Sequence, residues 1–185
     1  MTDDRYEIRL SGSGGQGVIL AGIILAEAAA IFDDQNAVQT QSYGPESRGG
    51  ASRAEVIISS EEIDYPKVTA PDLLLTLTQE AYDKYARDLK PGGIVIYDDS
   101  SVEIHADERH KSYGVPVSRI ARDVLEKPIA ANIVALGALV AIGKVVSRSA
   151  IEQAVMRRVP KGTEELNLKA LKEGFHAGEE ALAGR

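Results

Sequence analysis

The 185-residue chain contains no cysteine. Disulfides, thiol nucleophiles and iron–sulfur ligation by its own side chains are therefore excluded. Histidine is scarce as well: His105, His110 and His176 are scattered without metal-ligand spacing and read as surface residues. There is no excess of positive charge. A formal net charge of −7 opposes general binding to nucleic acid or to a membrane surface, which requires a basic footprint. Long apolar runs are also missing, because the longest uncharged stretch, Pro128 to Gly143, is shorter than the roughly 20 apolar residues of a membrane span. Met1 to Arg9 mixes charges and lacks the apolar core of a signal peptide. These absences predict a soluble, cytoplasmic protein with no nucleic-acid and no membrane partner.

Apolar residues make up 44% and charged residues 26% of the chain, an ordinary globular composition. The length suits one domain over residues 1–185, able to bury about 70% of the surface its unfolded form exposes. Strand and helix signals alternate. "YEIRLSG" (6–12), "NAVQTQSYG" (36–44), "ASRAEVIIS" (51–59), the compact apolar run "PDLLLTLT" (71–78) and "IVIYDDS" (94–100) read as strands, with a further one over Tyr113 to Val117. Gln16 to Phe32, residues 79–89 and residues 118–125 read as helices, and "KPGG" (90–93) stops the second of them. In the C-terminal third, Ala130 to Val146 is a helix rich in small residues. The box Ser149-x-x-Glu152 is expected to open the next helix, and Thr163 precedes the acidic first turn of the last. On that last helix Leu168, Leu171, Phe175 and Leu182 form one apolar stripe for docking. The pattern predicts an α/β, Rossmann-like three-layer domain with a mainly parallel sheet and a helical C-terminal third.

After the first strand comes Gly12-Ser13-Gly14-Gly15-Gln16-Gly17, a literal GxGxxG running into a helix. Glycines at this spacing permit a tight turn and let a phosphate approach backbone N–H groups at the helix N-terminus. Val18 and Ile19 stand where a P-loop needs Lys and Ser/Thr, so that reading fails. A dinucleotide site wants an acid at the end of the second strand. Val38 to Gln41 offer none, and Asp33 and Asp34 come too early. A stand-alone NAD-binding oxidoreductase or regulatory module is weakened but stays open, as does a turn that serves only helix–sheet packing.

"QTQSYGPESRGGASRAEV" (39–56) joins two strands through a polar, glycine-rich loop with Arg48, Arg53, Ser42, Tyr43, Ser47 and Ser52. Hydroxyl donors and guanidinium forks suit phosphate or carboxylate, while a solvated or partner-ordered loop is the competing reading. Asp98 and Asp99 follow a strand end and suit a ribose, a metal or a cap. Asn132 lies near a helix start, from which it can face a ligand, although small residues such as Gly137 mark the helix chiefly as core.

"RLSGSGGQGVILAGIILAEAA", "QSYGPESRGGASRAEVIIS" and "ANIVALGAL" (131–139) together resemble the gamma subunit of 2-oxoacid:ferredoxin (acceptor) oxidoreductases, nearest to the 2-oxoglutarate type. The resemblance runs from about Tyr6 to Phe175. Ser13, where pyruvate-type relatives more often have Arg, tilts the comparison toward 2-oxoglutarate, with branched-chain and other 2-oxoacids as competitors.

The resemblance implies a pyruvate/ketoisovalerate oxidoreductase-like domain within a multi-subunit enzyme. That enzyme converts a 2-oxoacid and coenzyme A to acyl-CoA, carbon dioxide and reduced ferredoxin. It implies alpha and beta subunits as partners, with delta as an optional third, and ferredoxin reached through the complex. Thiamine diphosphate, Mg and iron–sulfur clusters are expected on those partners, since this chain has no cysteine and no GDG with a distant Asn. No cofactor is expected to bind tightly here and no residue to be catalytic. Gly12, Gly14, Gly15, Gln16 and Gly17, with Ser42, Arg48 and Asn132, are the expected contacts to coenzyme A or substrate. The isolated chain is expected to be inert and free to self-associate as a homodimer.

Overall fold

The computed structural model describes residues 4–42, 50–105 and 109–184. In chain order the elements are β1 (Arg5–Ser13), α1 (Val18–Glu27), β2 (Asn36–Ser42), β3 (Ala51–Ser59), β4 (Leu73–Thr76), α2 (Gln79–Tyr85), β5 (Ile94–Asp98), β6 (Lys111–Val115), the short turn α3 (Val117–Arg119), α4 (Ala131–Gly143), α5 (Arg148–Arg158) and α6 (Glu164–Leu182). The six strands form one sheet in the order β2-β3-β1-β4-β5-β6. β1, β4, β5 and β6 are parallel neighbours, and β3 runs antiparallel to both β1 and β2. Five of the six strands therefore share one direction, as a mainly parallel sheet requires.

β4 shows why its sequence is a continuous apolar run. Leu73 and Leu75 face the layer built from α1, α4, α5 and α6, whereas Leu74 faces α2 with Ala81, Tyr85 and Val95. A strand covered on both faces has no polar side to display. The α2 layer is smaller and holds a buried ionic cluster. The Arg9 guanidinium lies 2.8 Å from both Glu55 and Asp88 and stacks 5.4 Å from the Tyr85 ring. Arg53 stacks on the same ring at 5.5 Å.

α4 is buried on nearly every side. Its small residues let α6 approach to backbone contact: a Cβ on Gly174 would collide with Val134 O and stand 2.9 Å from Gly137 Cα. The expected α6 stripe is thus corrected. Leu171 and Phe175 are buried and Leu168 is half-buried, but Leu182 is 43% exposed. Ala170, Gly174, Ala177 and Gly178 complete the seam instead, because contact this close leaves no room for further long side chains.

Two other expectations move. The sixth strand ends at Val115, because Pro116 introduces α3. The start of α5 is also earlier than the Ser149 box. Ser147 is the N-cap, its hydroxyl accepting from Ala150 N at 3.1 Å, and Ser149 lies inside the helix. Asp33 decides between the two serines, since its carboxylate accepts both the N–H and the hydroxyl of Ser147 at 2.6 Å. α1 continues beyond Glu27 through a π-helical turn, Ala28–Phe32, which brings Asp33 to that position. No helix among the described residues is long and apolar enough to cross a membrane.

Candidate functional site

β1 hands the chain to α1 through the glycine turn. Gln16 N donates to Ser13 O at 3.3 Å, and Gly17 caps α1 with φ of 74°, a left-handed conformation that costs other residues about 1–2 kcal/mol. Gln16 folds back over the turn, its Oε1 accepting from Ser13 N at 2.7 Å in the space where a side chain on Gly12 would stand. Gly14 differs. Its backbone needs no positive φ, and a Cβ there would meet nothing within 4 Å. No internal contact accounts for glycine at this position, which leaves open space for a visiting group. No side chain caps α1 and no acid occupies its first turn.

Asn132, in the first turn of α4, reaches the same place. It is only 7% exposed, and its Nδ2 donates to Gly17 O at 3.2 Å. The structure therefore brings Gly12, Gly14, Gly15, Gln16, Gly17 and Asn132 together. Ser42 closes β2 at the same end of the sheet but stands two strands away: it pairs with Arg53, which pairs with Ser11. Arg48 lies outside the described residues. Arg53 belongs to the Tyr85 layer, 3.6 Å from Glu55.

Beside the turn opens a cleft of about 320 Å³. Gly15, Gln16, Gly17 and Leu20 form one wall, and Ile129, Asn132 and Ile133 form the next. The third wall was not legible in the sequence: Val159 and Pro160 between α5 and α6, then Thr163, Leu166 and Asn167. No motif marks them, because they meet the turn only through the packing of α4 against α6. Among the described lining residues none is charged or titratable, so the cleft can bind and orient but offers no general acid, base or nucleophile.

The remaining acids have structural partners. Asp98 is fully buried and accepts from Ser100 N (3.2 Å), Ser101 Oγ (3.3 Å), Ser118 N (3.4 Å) and the Ser118 hydroxyl, so it acts as a cap. Asp33 caps α5 and cannot serve as the ribose acid of a dinucleotide site. Perturbed titration lies elsewhere too. Burial, with the Asp72 carboxylate second, pushes the Tyr6 phenol up to about 12. Among the described residues no three acidic or histidine side chains gather as a metal site.

Fold and site together define an α/β binding domain, with a glycine turn and an uncharged cleft at its helix N-terminus. The chain belongs to the pyruvate ferredoxin/flavodoxin oxidoreductase family, whose model matches residues 7–177. It is 53% identical to the 2-oxoglutarate synthase subunit KorC of Methanocaldococcus jannaschii over 178 residues, 95% of each chain. To the KorC of Archaeoglobus fulgidus it is 43% identical, over 92% of this chain and 87% of that one. Among solved structures, the keto/oxoacid ferredoxin oxidoreductase gamma subunit from Geobacter sulfurreducens superposes with a TM-score of 0.89 at 51% identity, covering 96% of this chain and 98% of that one. The 2-oxoglutarate:ferredoxin oxidoreductase from Magnetococcus marinus, solved with 2-oxoglutarate, coenzyme A and succinyl-CoA bound, gives 0.86 at 25% identity. There 96% of this chain corresponds to only 32% of a longer polypeptide.

Proposed function

We propose that this chain is the gamma subunit of a thiamine-diphosphate-dependent 2-oxoacid:ferredoxin oxidoreductase acting on 2-oxoglutarate. The complex converts 2-oxoglutarate and coenzyme A to succinyl-CoA and carbon dioxide and passes the electrons to ferredoxin. The observation that carries this reading is the end-to-end match to KorC chains: 53% identity over 95% of both partners leaves no room for a different domain plan. Residues 1–185 act as one domain of the pyruvate/ketoisovalerate oxidoreductase type.

The cofactors do not fit this chain. Magnesium–diphosphate needs oxygen ligands and iron–sulfur clusters need thiolates. The described cleft has no acid and the sequence has no cysteine. Thiamine diphosphate, which supplies the electron sink for decarboxylation, and the clusters therefore belong to alpha, beta or delta partners. The longer Magnetococcus polypeptide, about one third of which corresponds to this domain, supports a close partner of that kind. The chain is cytoplasmic and forms part of a wall along the approach of coenzyme A or substrate. Gly12, Gly14, Gly15, Gln16, Gly17, Ser42, Arg48 and Asn132 line that approach.

Affinity purification from the source cell tests the assembly: subunits able to bind thiamine diphosphate should co-purify, and their absence would refute it. The combined substitution Gly14→Val and Arg48→Ala tests the site. In the assembled enzyme it should raise KM for coenzyme A or 2-oxoglutarate, or lower turnover. If all three are unchanged, the site assignment is wrong.

A further inference from the structure

We infer that the cleft beside the glycine turn holds the neutral, amide-bearing pantetheine arm of coenzyme A and not its phosphorylated end. This rests on the proposed function and says which part of the molecule the turn serves.

A phosphate-binding turn presents free N–H donors and gains from a nearby cation. Here the Ser13 N–H is already engaged by Gln16 Oε1. No described lining residue carries a charge, so a diphosphate would lose its water without a cation to replace it. The α1 N-terminus offers only about half an elementary charge.

The two asparagines in the wall add a more specific argument. Asn132 Nδ2 donates to Gly17 O, and Asn167 Nδ2 donates to Thr163 O at 2.9 Å and Thr163 Oγ1 at 3.0 Å. Backbone carbonyls can only accept, which fixes both amides with their NH2 groups on the protein. Their Oδ1 atoms receive no hydrogen bond from the described protein, although Asn132 is more than nine-tenths buried. A visiting group must therefore donate. Ionised phosphates only accept, whereas secondary amides and hydroxyls donate. Leu20, Ile133, Val159 and Leu166 suit the methylene and gem-dimethyl carbons between those amides. The volume, about 320 Å³, sits at the small end of ligand pockets and admits an arm but not the whole coenzyme.

The test uses the full-length chain, labelled with nitrogen-15 and titrated separately with pantetheine, adenosine 3′,5′-bisphosphate and coenzyme A. Pantetheine and coenzyme A should both shift the Gly15 and Gly17 backbone amides and the Asn132 and Asn167 side-chain amides. The bisphosphate should leave these signals in place. Shifts caused by the bisphosphate, or by coenzyme A but not pantetheine, would overturn the inference while leaving the proposed approach intact. If coenzyme A moves none of them, the site assignment falls and this inference falls with it. Ile129→Glu provides a second check, since Ile129 stands 85% exposed at the rim and its replacement spares the fold. Losing its apolar contact should weaken pantetheine about fivefold. Unchanged affinity would place the arm elsewhere.

Discussion

The Asn132 clamp on the glycine turn makes a quantitative prediction through the pair Gly17→Ala and Asn132→Ala. At Gly17 the backbone has φ of 74°, so alanine costs about 1–2 kcal/mol in conformational energy alone. Its Cβ would also stand 2.5 Å from Asn132 Nδ2, which forces the amide away from Gly17 O and removes a hydrogen bond of about 1 kcal/mol. The single substitution should therefore destabilise the chain by about 2–3 kcal/mol. Asn132→Ala loses the same bond, at about 1 kcal/mol. In the double variant the clash has no partner and the bond is lost only once. Its destabilisation should fall short of the sum of the singles by about 1 kcal/mol. Urea denaturation of the four proteins at neutral pH measures this coupling directly. Additivity within about 0.5 kcal/mol, the behaviour of independent sites, would show that Asn132 does not hold the turn.

Three further outcomes are expected. Gly174→Ala gains about 1 kcal/mol of helix propensity but drives a methyl into Val134 O, and overpacking of this kind costs about 1–3 kcal/mol or more. Net destabilisation in chemical denaturation is predicted, and a more stable variant would refute the close α4–α6 contact. The hydrogen bond from Arg158, aided by the charges of Arg158 and Arg157 and opposed by burial, holds the Glu27 carboxyl below the usual glutamate value. A lowered folded-state pKa contributes stability above the unfolded value that is lost as pH falls through the folded one. Unfolding free energy measured from pH 6 to pH 3 should therefore decline less steeply in Glu27→Gln than in the parent. Equal slopes would remove Glu27 from the account. Finally, NAD should leave the melting temperature unchanged, and a rise with NAD concentration would revive the dinucleotide reading.

Much of the fold could be read from local pattern. The β-branched run 51–59 marks β3 residue for residue, and the unbroken apolar run at 71–78 contains β4. Both are signals of a few neighbouring residues. The α5 cap was not legible, because Ser147 and Ser149 are equally good caps locally, and Asp33, 114 positions away, selects the first. Leu182 was misplaced for a related reason: helical periodicity puts it on the stripe, but the glycine seam at Gly174 and Gly178 sets where α6 meets α4. At the site, the glycine turn announced itself, and Asn132 was marked only as a polar residue at the start of an apolar helix. Its bond to Gly17 spans 115 positions. The wall from Val159 to Asn167 carries no motif and exists only once α4, α5 and α6 have packed.

The most direct measurement compares 2-oxoglutarate-dependent ferredoxin reduction, with coenzyme A present, by the purified chain alone and by the chain recombined with its co-purifying subunits. An uncharged cleft without a reactive side chain, on a polypeptide without cysteine, predicts no turnover for the chain alone and full turnover only for the recombined complex. Sustained turnover by the chain alone, or a complex equally active without it, would contradict the account.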